Sequence, residues 1–311
     1  MRIAVYEFLT ATRRGCDPQS PEHALYREGR AMHDALMADF GRIPGCCVSS
    51  LSDLHNLPED TDLVVIAPET GGLLAELVRC RPSPLNATVE AIELTTDKAR
   101  LAEHWQHHGI PTPTTTQRPP RADDSFPMVW KPRDGAGSTD TFLIRDPAGL
   151  ATAMAQCPSH HDMIVQPFIP GCAASVAFLC GPRQTVPLIP TFQHLAVDDR
   201  LHYTGGELPL PEALAERAVR LAQRAIACVP GLRGYVGVDV VLGEPTDGSG
   251  DYAIEINPRL TTSYIGLRVA AAFNIAELWW RIARGEPVAA DAAHWQPGRV
   301  RWNTAGTIAR A

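Results

Sequence analysis

The eight cysteines, at 16, 46, 47, 80, 157, 172, 180 and 228, include no Cys-x-x-Cys pair and no Cys/His spacing of the kind that holds a metal. That favours plain reduced thiols in a cytoplasmic protein, most of them small apolar core residues. No run of Lys and Arg interrupts the even mixing of signs, and the formal net charge is -7. Nucleic acid and anionic lipid therefore lack an electrostatic footprint, and any polyanion bound must be small and locally held. No stretch approaches the length of a membrane span. The opening "MRIAVYEFL" is broken by a charged residue and followed by no cleavage-like stretch, so it is read as a first β-strand rather than a signal peptide. Internal repeats and low-complexity tracts are absent as well.

What is present is 311 residues with 45% hydrophobic content, enough for a real core and two or three lobes. "RIAVYEFL", "CCVSSL" and "DLVVIAPE" read as strands, and "ALYREGRAMHDALMADF" and "GGLLAELVRC" as helices. Their alternation predicts a small parallel sheet covered by helices, an α/β unit over residues 1–90. After the Pro-rich "RPSPLN", a helix over "TTDKARLAEHWQHHG" has Thr96 or Asp97 as its cap and Gly109 as its end. "PMVWKPRDGAGSTDTFLI", "PAGLATAMAQC" and "DMIVQPFIPG" predict a second, small α+β lobe, so that 91–170 forms a linker helix and central lobe. Residues 171–311 form a third, with the strand "ASVAFLCG", a Gly-containing loop "LHYTGGELPL", the helix "PEALAERAVRLAQRAIACV", the hairpin "YVGVDVVLGEPTDGSGDYAIEINP" and the helix "NIAELWWRIARGE".

The hairpin carries the chemistry. Asp239 ends one alternating strand, and Glu255 and Asn257, two apart on the next, share a face because side chains alternate with a period of two. Three hard oxygen donors converging from adjacent strands suit magnesium, which takes a few carboxylate or amide oxygens and leaves its other positions to phosphate and water. A solvated strand face is the plainer explanation, but Asn and Pro are poor strand residues and such a face seldom ends this way.

In "VWKPRDGAGSTD", Lys131 leaves a strand ahead of Gly135, Ala136, Gly137 and Ser138, whose backbone N–H groups can form an anion-binding concavity beside the ammonium. In a Walker loop the Lys follows the glycines and a helix follows the Lys, so a P-loop is excluded by order. On its own the segment serves equally as a plain turn. "IVQPFIPG" links two lobes, and an extended segment there can offer a carbonyl and an N–H to a purine edge.

Lys98 at a helix start, Lys131 before a glycine loop, the linker Gln166, Pro167, Phe168 and Ile169, and Asp239 with Glu255-x-Asn257 occur in the order that resembles the ATP-grasp superfamily, over essentially the whole chain. The resemblance implies an ATP-grasp fold with an N-terminal Rossmann-like unit and ATP held between two lobes. It also implies a carboxylate activated as an acyl phosphate and displaced by an amine. On that pattern Lys98 and Lys131 resemble the phosphate-binding lysines, Gly135 to Ser138 the lid, and Asp239, Glu255 and Asn257 the ligands of Mg2+ or Mn2+. Arg259 is similar to the base that steadies the transferred phosphoryl group.

Two departures stand out. Gln166 and Pro167 replace the acidic pair of many relatives, and Pro167 offers only its carbonyl, leaving Phe168 or Ile169 as the donor. Ala173 in "GCAAS" stands where a ribose-binding Glu is often found. "EINPRLTTSYIGL", "GCAASVAFL" and "IAPETGG" resemble the tyramine–glutamate ligase subgroup, which joins the glutamate side-chain carboxyl to an aromatic amine, such as tyramine or tyrosine, in making furan-type one-carbon carriers. Strand alternation then keeps Arg259 on the metal face, with Thr261, Thr262 and Ser263 within reach of an amino-acid carboxylate.

Glu69 sits at a strand tip, where open α/β sheets place ligands, and is a candidate substrate contact. His194 and the "YTGG" segment at 203–206 are candidates for the acceptor pocket. His104, His107 and His108 read as a solvated helix face, and Trp279 and Trp280 as packing for the last helix. The partners expected are small molecules, an amino acid and an amine, with no nucleic acid, no membrane, and room for a homodimer. Three rivals stand beside this expectation: an ATP-grasp ligase with another acid or amine, a small-molecule kinase, and a nucleotide-binding regulatory protein without catalysis.

Overall fold

The computed structural model describes residues 1–20, 22–54, 57–135, 140–157, 162–198, 200–289 and 291–310. The first strand, β1 (Arg2–Glu7), is buried from Ile3 onward, and β3 (Thr61–Ile66) from Asp62 onward. Runs buried on both faces suit a parallel sheet between helices. β1 pairs in parallel with β2 (Cys47–Ser50) on one side and β3 on the other. After the short α1 (Phe8–Thr12), α2 (His23–Gly41) turns Gly29, Met32, His33, Leu36 and Phe40 inward, the three-and-four spacing of an apolar stripe.

Helix α3 (Leu73–Cys80) follows β3. It leads to a helix that the sequence reading does not contain, α4 (Val89–Thr96), and to α5 (Lys98–His107). Of the two candidate caps for α5, Asp97 does the work: its carboxylate accepts from the Ala99 and Arg100 N–H groups, while Thr96 closes α4. Gly109, just past the end of α5, has φ +67.

The second sheet is antiparallel, in the order β5-β4-β6, with β4 (Met128–Pro132), β5 (Phe142–Ile144) and β6 (Met163–Pro167). Helix α6 (Pro147–Gln156), capped by Asp146, covers it. Trp130, Phe142, Ile144, Leu150 and Met163 form a core belonging to this lobe alone.

The third sheet runs β12-β11-β7-β9-β10-β13-β14, with β8 (Thr185–Pro187) attached to β7. Its strands are β7 (Cys172–Cys180), β9 (Thr191–Val197), β10 (Leu201–Leu208), β11 (Gly234–Leu242), β12 (Tyr252–Asn257), β13 (Val300–Asn303) and β14 (Ile308–Arg310). Helices α7 (Glu212–Ala227), α8 (Ser263–Ala270) and α9 (Ile275–Ala283) pack on it. The segment expected as a loop, "LHYTGGELPL", is mostly strand β10. Its glycines serve a bulge between Tyr203 and Gly205 and a close approach to the neighbouring strand, not a turn.

The first and third sheets share their interior. One core joins Ile3, Val5, Leu36 and Phe40 to Tyr264, Trp279 and Ile282. Polar clasps reinforce it: fully buried Asp39 of α2 accepts from Tyr264 Oη at 2.6 Å and Arg268 Nε at 2.8 Å. Asp62 of β3 accepts from Trp280 Nε1 at 3.0 Å and Arg284 Nη2 at 2.7 Å. Trp279 packs into the core as expected, and Trp280, partly buried, packs against the same core besides making this hydrogen bond.

Trp302 of β13 lies in a slot cut by two glycines. A Cβ on Gly206 would stand 2.4 Å from its Cζ2, and one on Gly266 would stand 2.0 Å from its Cε3. Trp302 Nε1 in turn donates to the Tyr203 hydroxyl at 3.2 Å. Gly→Ala inside a helix ordinarily stabilises by about 1 kcal/mol. For Gly266→Ala in α8 the sign reverses, because the ring cannot retreat, and overpacking costs about 1–3 kcal/mol. A denaturant midpoint equal to or above wild type would show that Trp302 moves freely.

Candidate nucleotide and metal site

Asp239 of β11 stands directly opposite Glu255 of β12 and Ser175 of β7, beside a bulge between Asp239 and Val240. Asn257, at the end of β12, donates from Nδ2 to Asp239 Oδ2 at 3.3 Å. The three oxygen-bearing side chains predicted from the hairpin are thus brought together. Burial, and then the facing Glu255, push the Asp239 carboxyl up from 3.8 to about 7, against hydrogen bonds from Ser175 and Gln193. Burial would raise Glu255 too, but Lys98 and Lys131 outweigh it and hold that carboxyl below its ordinary value.

The two lysines come from different elements. Lys98 opens α5, where its backbone N–H donates to Arg133 O at 3.0 Å. Its Nζ lies 3.8 Å from Glu255 Oε2 and donates to Gly135 O at 3.2 Å. Lys131 leaves β4 buried, and desolvation carries its ammonium down to about 8, with Lys98 adding to the fall and Glu255 and Asp239 opposing it. The root of the glycine loop is clipped twice more. Arg133 Nε bonds the α5 cap Asp97 at 2.8 Å, and Asp134 Oδ2 accepts from Gly71 N–H at 2.8 Å. Gly135 has φ +126; Ala136, Gly137 and Ser138 lie outside the described residues.

In the linker, Gln166 is buried on β6 and its Nε2 donates to Thr115 Oγ1 at 2.8 Å. Pro167 is exposed, and Phe168 and Ile169 are half-buried. The Phe168 N–H is spent on Pro127 O at 3.1 Å, which leaves Ile169 as the free donor of the two.

Arg259 is not a strand residue. β12 ends at Asn257, so alternation does not place it, and a bend after Pro258 does. Its guanidinium meets Glu69, just beyond the tip of β3, through a hydrogen bond from Nη2 to Oε2 at 2.9 Å and an ionic contact between Nε and Oε1 at 2.8 Å. That Nε–Oε1 limb lacks hydrogen-bond alignment and leaves both atoms without a hydrogen bond. Thr261 Oγ1 and Ser263 Oγ lie 2.8 Å apart, both near the Tyr235 hydroxyl. Thr262 bonds Glu28 of α2. Thr262 and Ser263 are buried, and Thr261 alone of the three is half-exposed.

His194 departs from expectation. Gln193, its neighbour on β9, turns toward Asp239, so alternation sends His194 to the other face. There it lines a cleft of about 440 Å³ with Thr204, Arg301 and Trp302, 3.7 Å from Glu207. Tyr203, by contrast, has its phenol beside Glu28, Asp239 and Tyr235, in a setting whose burial raises its pKa. His107 and His108 are exposed as expected, but His104 is half-buried, with Nε2 2.7 Å from Cys228 O. Glu28, Ser175 and Gln193 escaped sequence reading: one acid on an amphipathic helix, or one polar residue on a strand, carries no signal of its own.

The donor set fits a hard divalent cation. Two half-buried carboxylates face each other with an amide beside them, and the upward push on Asp239 from partial desolvation and the facing Glu255 marks a repulsion that a cation would relieve.

A small antiparallel lobe carrying one lysine and a glycine loop, set against a large sheet carrying the paired carboxylates, defines a two-sheet clamp. Residues 95–263, more than half of the chain, match the ATP-grasp domain, and the chain belongs to that family. It is 35% identical over 125 residues to a tyramine–L-glutamate ligase of Methanocaldococcus jannaschii, covering 40% of this chain and 37% of that one. It is 27% identical over 277 residues to a D-alanine–D-alanine ligase of Francisella philomiragia subsp. philomiragia, covering 82% and 91%. The fold matches an ATP-grasp superfamily protein from Archaeoglobus fulgidus with a TM-score of 0.70 at 26% identity, over 97% of this chain and 92% of that one. No described helix is long and apolar enough to cross a membrane.

The Asp239 carboxyl ionises at 3.8 when free and near 7 in the fold, so the unfolded chain releases that proton first. The metal-free protein therefore loses stability as pH rises through that window. Asp239→Asn should flatten this part of the Tm–pH profile in chelator-treated protein. A slope matching wild type between those values would show that Asp239 is not the group responsible.

Proposed function

We propose that the protein is an ATP-dependent ligase. It joins the side-chain carboxylate of L-glutamate to an aromatic amine, tyramine or tyrosine, through an acyl phosphate, as a step in making furan-type one-carbon carriers. One observation carries this: Asp239, Glu255 and Asn257 converge on the large sheet where Lys98 and Lys131 arrive from the other side. Family membership supports the nucleotide chemistry, and the archaeal tyramine–L-glutamate ligase supports the substrates. The segments 1–90, 91–170 and 171–311 then act as acid-side support, small clamp and large clamp.

Asp239, Glu255 and Asn257 would hold Mg2+ or Mn2+, which when bound supplies fixed positive charge to the phosphates of ATP. Lys98 and Lys131 take phosphate oxygens. Below pH of about 8 the Lys131 ammonium is predominantly charged. The Pro167 carbonyl and Ile169 N–H meet the adenine edge. Arg259, held ready by Glu69, receives the acyl phosphate, and Thr261 faces the amino-acid carboxylate. A carboxylate oxygen attacks the γ-phosphorus and ADP leaves; the neutral amine then attacks the acyl carbon and phosphate leaves, with one proton released.

The longer alignment with the D-alanine–D-alanine ligase favours a second version, in which an amino acid is the nucleophile. A panel of acids and amines, read by mass spectrometry of the amide product, separates the two.

Oxygen-18 in the glutamate side-chain carboxylate should appear in the released phosphate, with ADP as the nucleotide product. AMP in the phosphorus NMR spectrum, or label retained wholly in the amide, would rule out the acyl phosphate.

Glu255→Gln and Asn257→Ala should each lower kcat by about 10²-fold or more without loss of fold, and Lys131→Ala should weaken ATP binding. His107→Ala should change little. Near-normal turnover in both metal-site variants at ordinary magnesium would remove the metal assignment, and calorimetric ATP affinity unchanged by Lys131→Ala would remove the phosphate assignment.

A further inference from the structure

We propose that Glu28 of α2 is the counter-ion for a substrate ammonium group, so that the acid pocket recognises a charge pair rather than a carboxylate alone. This rests on the ligase assignment and adds a substrate class to the same site. Glu28 comes from the first parallel unit, yet it reaches the loop after β12: its Oε1 accepts from Thr262 Oγ1. Among the described residues no hydrogen bond reaches Oε2. The nearby cation, Arg259, spends one Nη2 N–H on Glu69 and one Nη1 N–H on Leu260 O at 3.1 Å, so among the described residues it gives Glu28 no hydrogen bond, and a second N–H on each nitrogen is left for a ligand. Tyr203 is also close enough to feel the Glu28 charge, and its hydroxyl accepts from Trp302 Nε1.

A half-buried carboxylate with one hydroxyl for company keeps an oxygen open to a ligand cation at the edge of the site, where water screens it only in part. The backbone fixes it there. Gly29, the next residue, lies so close to Glu7 that a Cβ would stand 2.5 Å from Glu7 Oε1, so α2 rests directly on the end of β1 and cannot draw Glu28 back. Glu28 and Arg259 thus offer an anion and a cation to one ligand, whose carboxylate turns to Arg259 and whose ammonium turns to Oε2.

The ammonium belongs either to the amino acid that is activated or to the incoming amine, and two pairs of ligands tell them apart. Glutarate is glutamate without its amino group, and tyrosol is tyramine with a hydroxyl in its place. In calorimetry with wild-type protein, magnesium and a non-hydrolysable ATP analogue, the ammonium-bearing member of one pair should bind at least tenfold more tightly than its partner without the ammonium. Glu28→Gln should abolish that preference while leaving affinity for the ATP analogue within twofold, and Glu28→Asp should restore part of it. Preference within the first pair assigns the activated acid, and within the second the amine. Equal binding within both pairs by wild type overturns the proposal without any variant, as does an unchanged preference in a folded Glu28→Gln protein. The ligase assignment fails separately, if wild type forms no amide while these binding preferences persist.

Discussion

Two carboxylates held face to face in a half-buried place set the terms for the rest of the site. Asp239 and Glu255 are neighbours because β11 and β12 pair in a fixed register, which holds their side chains on one face of the sheet. Their repulsion is divided unequally. Lys98 and Lys131 hold the Glu255 carboxyl below its ordinary value, while desolvation and the facing Glu255 push Asp239 up to about 7. The lysines in turn depend on the pair, since a buried ammonium with no anion beside it would be expelled or neutralised. The cluster is poised for additional positive charge from outside.

Core sharing divides the molecule unevenly. The first parallel sheet and the large third sheet enclose a common interior, fastened by Asp39 and Asp62, so Glu28, Glu69, Arg259 and the carboxylate comb ride on one rigid base. The small lobe keeps a core of its own, and Lys131 rides on that. Its ties to the base at the site are polar ones: Arg133 with Asp97, Asp134 with Gly71, and Lys98 with Gly135. Polar, partly solvated ties are easily exchanged for others, whereas a shared apolar core is not. Any closing on a ligand is therefore expected of the small lobe.

What could be read from the sequence was local. The β12 alternation set Glu255 and Asn257 on one face, the short hairpin turn returned Asp239 beside them, and the Asp97 cap put Lys98 at a helix start. The Gly-rich β10 was misread because glycines that admit Trp302 look the same on paper as glycines that make a turn. Arg259 reached its neighbourhood for a reason other than alternation, and Glu69 met it across a separation of 190 residues, which no local pattern reports. Glu28 was hidden for the same cause: its partner, Thr262, lies 234 residues away.

The shared interior has a further consequence, for the chain as it is made. β1, β3 and α2 leave the ribosome about 200 residues before the surfaces that cover them, Tyr264, Trp279 and Ile282. At roughly 5–20 residues per second the interval is on the order of tens of seconds. For that time an apolar sheet face and the buried end of Asp39 stand open, without the Arg268 and Tyr264 that will satisfy it. The apolar face of the first sheet is thus a waiting half of a core, completed only when the later helices arrive.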